Sequence, residues 1–164
     1  MVARRGRDLT VETDLSAQHL EAQRFRVTPR GRLLAWQRTR ISILGVTQDD
    51  AHTIAPPTTI SLPAQLFAGE RWTQAFHDEE LPVRTTSRVI RRGRVTVAGR
   101  SLSAWDVVST SVTGGAHPGT EREEAWHSQS LGLDLRFAIS RRIGGTFPYR
   151  LEVSARLLRV EPLR

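Results

Sequence analysis

The feature that most constrains this chain is an alternation of apolar and polar residues with a period of two. From Leu131 the odd positions Leu131, Leu133, Leu135, Phe137 and Ile139 are apolar, while Asp134, Arg136 and Ser140 fall between them. Tyr149, Leu151, Val153, Ala155 and Leu157 repeat the pattern against Arg150, Glu152, Ser154 and Arg156. Successive side chains of a strand point to opposite faces, so both segments read as half-buried strands with one wet face. Gly144 and Gly145 lie between them and supply the backbone freedom of a hairpin connection.

The same grammar extends upstream. Residues 83–90, 94–97 and 102–112 are rich in Val, Thr, Ile and Ser and are punctuated at Gly93 and Gly99. A Gly-rich stretch at 113–119 precedes another strand, residues 121–127, and Pro29-Arg30-Gly31 separates two more near the front. One segment carries helix signals: residues 14–24, with Asp14 or Ser16 as cap and Leu15, Leu20 and Ala22 on one side. The expected fold is all-β with at most one short helix, a single curved antiparallel meander sheet forming a half-barrel or barrel. With 164 residues, 38% of them hydrophobic, one domain is the expectation: residues 1–7 a flexible N-terminus and 8–164 a single antiparallel β domain.

Absent residue types exclude chemistry. The chain has no Cys, no Asn and no Lys, so its 24 basic residues are all Arg. Without Lys there is no Schiff base, no lysine-anchored pyridoxal phosphate and no GxxxxGK[ST] phosphate loop. Without Cys there is no thiol nucleophile, zinc-thiolate site or iron–sulfur cluster. A formal net charge of +7 favours anionic partners, whether nucleic acid, acidic lipid headgroups or anionic polymers. Six arginines fall between Glu21 and Asp49 and six more between Glu80 and Asp106, with no acid inside either block. They read either as solvated strand faces in an arginine-biased sequence or as a working basic surface. No apolar run approaches the ~20 residues of a membrane span, and the basic N-terminus is not followed by a secretory apolar stretch. The expected location is extracytoplasmic, in the cell envelope, if a leader precedes this sequence, and otherwise cytoplasmic.

Candidate sites are few. His77-Asp78-Glu79-Glu80 alternates across a strand and does not converge on a metal, and Glu123 and His127 stand about 13 Å apart along a strand, too far for an acid–base pair. No catalytic residue, metal or cofactor is expected. Trp36, Trp72, Trp105 and Trp126 occupy four separate strand candidates. They read as core plugs or as the lining of an apolar cavity shared with Phe137, with arginines such as Arg38 and Arg88 at its mouth, which suits an acyl chain with an anionic head. A 6% aromatic content is thin for a base-stacking platform, which ranks nucleic acid below an amphiphilic or anionic ligand as partner.

Three segments carry a family resemblance. Leu66-Phe67-Ala68-Gly69-Glu70-Arg71-Trp72 resembles the G-x-x-W strand opening of uncharacterised bacterial cell-envelope β-domains. The stretch Val95 to Val107 is similar to their V-T-V-x-A-G-x-(F/L)-x-A-x-x-V strand pair, and Trp126 to Leu133 to their W-Y-S-P-x-L-G-L strand-turn-strand. In this likeness His127 stands where an aromatic is usual and Gln129 where Pro is common. The resemblance implies a layout like that of lipoprotein-carrier half-barrels, in which a curved antiparallel sheet wraps an apolar cavity. It brings no catalytic residue, and Gly69, Trp72, Gly99, Trp126 and Gly132 read as turn glycines and packing aromatics. The expected function is a non-enzymatic ligand- or partner-binding module, taking a lipid or other amphiphile in a concave sheet with an arginine rim. The alternatives are a structural scaffold, an arginine-rich nucleic-acid-binding barrel and, last, a hydrolase with a dispersed site.

Overall fold

Alternating segments joined by short turns have one cheap solution, in which each pairs antiparallel with its predecessor. A computed structural model of the chain describes residues 2–43, 45–54, 59–77, 82–115, 118–145 and 148–157. Its strands are β1 (Val2–Arg5), β2 (Asp8–Ser16), β3 (His19–Thr28), β4 (Gly31–Ile43), β5 (Val46–Thr53), β6 (Ile60–Pro63), β7 (Arg71–His77), β8 (Pro82–Val97), β9 (Arg100–Thr113), β10 (Gly119–Ser128), β11 (Leu133–Ile143) and β12 (Tyr149–Arg156). No helix occurs among the described residues, so none is long and apolar enough to cross a membrane.

The all-β expectation holds, but the sheet is double. The chain divides into two compact units, Met1–Ala64 and Gln65–Arg164, each built on its own six-stranded antiparallel sheet. The first is ordered β1-β2-β3-β4-β5 with β6 also paired to β4, and the second is the meander β12-β11-β10-β9-β8-β7. Neither sheet closes into a barrel among the described residues. The expected helix over residues 14–24 is replaced by the end of β2, a tight turn at Ala17-Gln18, and β3. The helical spacing was produced by a bulge between Asp14 and Ser16, which breaks the alternation in just that stretch. Residues 2–5, expected as a loose lead-in, form β1 against β2, with Val2 opposite Val11 and Arg5 opposite Asp8.

In the first unit Leu9, Phe25 and Leu34 are register partners across β2, β3 and β4, and all three are buried along with Leu62 on β6. Each such side chain contributes roughly 1.5–3 kcal/mol of burial. The core of the second unit gathers where β8 turns into β9: Val97, Ala104, Trp126 and Leu135 are buried together, with Val95, Leu102 and Leu157 packed against them. Ala98 and Gly99 both have positive φ, 48° and 76°, which matches the twist that a two-residue hairpin needs between Val97 and Arg100.

Candidate functional site

The arginines of the second unit acquire an address only through strand register. Residues paired across neighbouring antiparallel strands point to the same face, and four such rows cross the sheet. Arg84, Val112, Thr120, Arg142 and Arg150 form one; Thr86, Thr110, Arg122, Ser140 and Glu152 the next; Arg88, Val108, Glu124, Ala138 and Ser154 the third. Arg91, Asp106, Trp126, Arg136 and Arg156 form the fourth. Arg71 on β7 joins the third row opposite Arg88.

These rows belong to one face because of two bulges. Between Val89 and Arg91 on β8, and between Trp126 and His127 opposite β11, one strand carries an extra residue, which turns odd spacings such as Arg88 to Arg91 into the same side. The resulting face carries nine exposed arginines against the three carboxylates Asp106, Glu124 and Glu152. Three pairs of arginines are direct register partners: Arg71 with Arg88, Arg142 with Arg150, and Arg136 with Arg156. Like charges directly opposite destabilise a sheet. Arg150 is paired to Glu152 and Arg91 to Asp106, whereas Arg71, Arg84, Arg88, Arg122, Arg142 and Arg156 take part in none of the ion pairs found among the described residues. Between β10, β11 and β12 this face is indented by a shallow depression of about 350 Å³ bordered by Arg122, Glu124, Ser140, Glu152 and Ser154 and floored by Ala138.

Trp126 anchors one end of the face. Its ring lies so close to Gly93 that a Cβ there would come within 2.6 Å of it, so the position admits no side chain without displacement. Arg91 and Arg136 stack over the ring at 5.4 and 5.0 Å, which fixes both guanidinium groups at the border of core and solvent. Beside it Asp106 is 5% exposed, and burial and the nearby Glu124 push its carboxyl above the usual aspartate range, against the lowering effect of Arg91 at 3.5 Å. Asp106 Oδ1 and Trp126 Nε1 are both buried without a hydrogen-bond partner among the described residues.

The opposite face of the same sheet is different in kind. Trp72, Val89, Val107, Ala125 and Phe137 lie there, together with two hydroxyl pairs, Thr85 to Ser111 at 2.9 Å and Ser87 to Ser109 at 2.8 Å. Trp105 is also on this face; its Nε1 donates to Gln129 Oε1 at 3.1 Å and Arg92 stacks on it at 5.7 Å. Next to it His127, 3% exposed, has its Nδ1 2.7 Å from Asp134 Oδ1, the register partner supplied by β11.

The predicted ligand set is therefore divided. Trp36 and Arg38 belong to β4 of the first unit, where Arg24 stacks on Trp36 at 5.9 Å and Arg38 Nε donates to Asp49 Oδ1 at 2.7 Å. That hydrogen bond holds the Asp49 carboxyl below its usual range and the Arg38 guanidinium above its own. Trp72, Trp105 and Phe137 share the apolar face of the second sheet, while Trp126 and Arg88 belong to its arginine face. Residues 78–80 of the acidic segment and His117 lie outside the described residues. Sequence reasoning did not reach Arg136, Arg142, Arg150 and Arg156, yet a signal existed: both pairs are symmetric about the hairpin that Gly144 and Gly145 announce. It also missed Asp134 as the partner of His127, by testing only the acid on the same strand. Comparison of the chain with protein-family models, with curated proteins and with solved structures found no match.

Proposed function

We propose that the protein is a non-enzymatic binding module whose working surface is the arginine face of the β7–β12 sheet, and that its partner is anionic. One observation carries this reading: three arginine pairs stand directly opposed on a single exposed face. Folding gains nothing from that arrangement, since opposed like charges cost stability, whereas an anion placed between two guanidinium groups turns the repulsion into a pair of charge-assisted hydrogen bonds. The test is elution from immobilised heparin. Wild-type protein is expected to be released only at raised salt, and the Arg136→Gln/Arg142→Gln/Arg150→Gln variant at clearly lower salt. Elution of both at the same salt contradicts the proposal.

The other face supports a second reading. Trp72, Val89, Val107 and Phe137 share one side of the sheet, as the wall of a site for an apolar or amphiphilic small molecule would. Native mass spectrometry after exposure to a bacterial lipid extract tests it: a discrete adduct lost on organic extraction supports it, and a bare protein mass rejects it.

A further inference from the structure

Resting on the arginine-face reading, we infer that the partner is a membrane surface of acidic phospholipid headgroups, met edge to edge by the whole face, rather than a polymer lying along it. The argument is one of layout. With strands about 4.8 Å apart and residues rising ~3.3 Å each, the pairs Arg71/Arg88, Arg142/Arg150 and Arg136/Arg156 sit at the corners of a triangle about 20 Å on a side. A single phosphodiester chain crossing two of these corners passes well wide of the third. Headgroups in a bilayer are laterally mobile, so each pair draws its own phosphate whatever the spacing.

Two further features agree. Val112 is 53% exposed within the row of Arg84 and Arg142, and Ile90 is 43% exposed at the β8 bulge, so aliphatic groups stand among the charges as they do on interfacial surfaces. The one aromatic ring among the four rows, that of Trp126, is 6% exposed and covered by Arg91 and Arg136, so it offers nothing for bases to stack on. Arginines near an acidic bilayer each contribute about 1 kcal/mol, a fivefold change in partitioning.

The experiment is co-sedimentation of the full chain with vesicles of phosphatidylglycerol and phosphatidylcholine, with vesicles of phosphatidylcholine alone, and a parallel titration of duplex DNA. The expected result is salt-sensitive binding to the acidic vesicles only. Arg142→Gln/Arg150→Gln is expected to lower partitioning about 30-fold, whereas Arg142→Lys/Arg150→Lys, which keeps the charges, retains it. Folding of each variant is checked by circular dichroism. Equal binding to neutral vesicles, or no loss in the Gln variant, overturns the inference. Arginine-dependent binding of DNA without binding of acidic vesicles overturns it while leaving the arginine-face reading standing, and failure of both arms overturns the two together.

Discussion

The two sheets use arginine in opposite ways. In the first unit the guanidinium groups are engaged: Arg38 with Asp49, Arg26 with Asp8 at 3.7 Å, Arg24 over Trp36, and Arg32 over Phe25 at 4.9 Å. In the second, most arginines of the exposed face have no acidic partner among the described residues, and six of the nine are opposed by another arginine. Engaged arginines serve the fold that holds them. Opposed arginines cost stability and are explained by something outside the fold, which is why residue count alone does not locate a function and strand register does.

The largest expected effect concerns what holds the arginine face in place. Trp126→Ala removes the ring under Arg91 and Arg136 and opens the core around Val97, Ala104 and Leu135, so it is expected to cost about 3–5 kcal/mol in denaturant unfolding. Gly93→Ala, which drives a methyl group into the same ring, is expected to cost about 1–3 kcal/mol. A loss of less than ~1 kcal/mol for Trp126→Ala would separate the face from its support.

Acidity sharpens the contrast, because the two sheets hold aspartates shifted in opposite directions. Asp49, lowered by its hydrogen bond from Arg38, stabilises the fold above the unfolded aspartate range and loses that contribution as pH falls through its folded value. Asp106, raised by burial and Glu124, is penalised when charged. Its unfavourable effect is absent below the unfolded aspartate range and grows as pH rises through its folded value. Asp106→Asn is therefore expected to raise thermal stability at neutral pH and to give no advantage in strong acid, and Asp49→Asn to lower stability at neutral pH only. The same sign for both variants across a pH series would break the comparison.

The smallest effect is the most diagnostic of cost. Arg142→Gln removes one member of a like-charge register pair and is expected to leave stability unchanged or to raise it by about 0.2–1 kcal/mol. Arg38→Gln, which strips Asp49 of its partner, is expected to lower it or leave it unchanged. Destabilisation by Arg142→Gln in urea titration would show that the face is held by contacts of its own.

Much of this was legible in the chain. Alternation from Leu131 to Ile139 and from Tyr149 to Leu157 marks β11 and β12 directly, because one side of each strand is less exposed than the other. What sequence periodicity cannot carry is a bulge. At Asp14 to Ser16, Val89 to Arg91 and Trp126 to His127 one extra residue reverses the side of everything that follows, which made a hairpin look helical and scattered the arginine face into unrelated blocks. The division into two units was also hidden, since residues 54–64 carry no composition break beyond the Pro56-Pro57 pair and Pro63. The site itself needed cross-strand partners: Arg142 and Arg150, eight positions apart in sequence, become neighbours only once the hairpin register is known.

The most direct test of the central claim is footprinting of arginine side chains with a guanidinium-specific dicarbonyl reagent, with and without a short polyphosphate, read residue by residue by mass spectrometry. The account predicts protection concentrated at Arg88, Arg142, Arg150 and Arg156 of the second sheet, with Arg24 and Arg26 of the first modified as before. Equal protection in both sheets, or protection of the first alone, would contradict it.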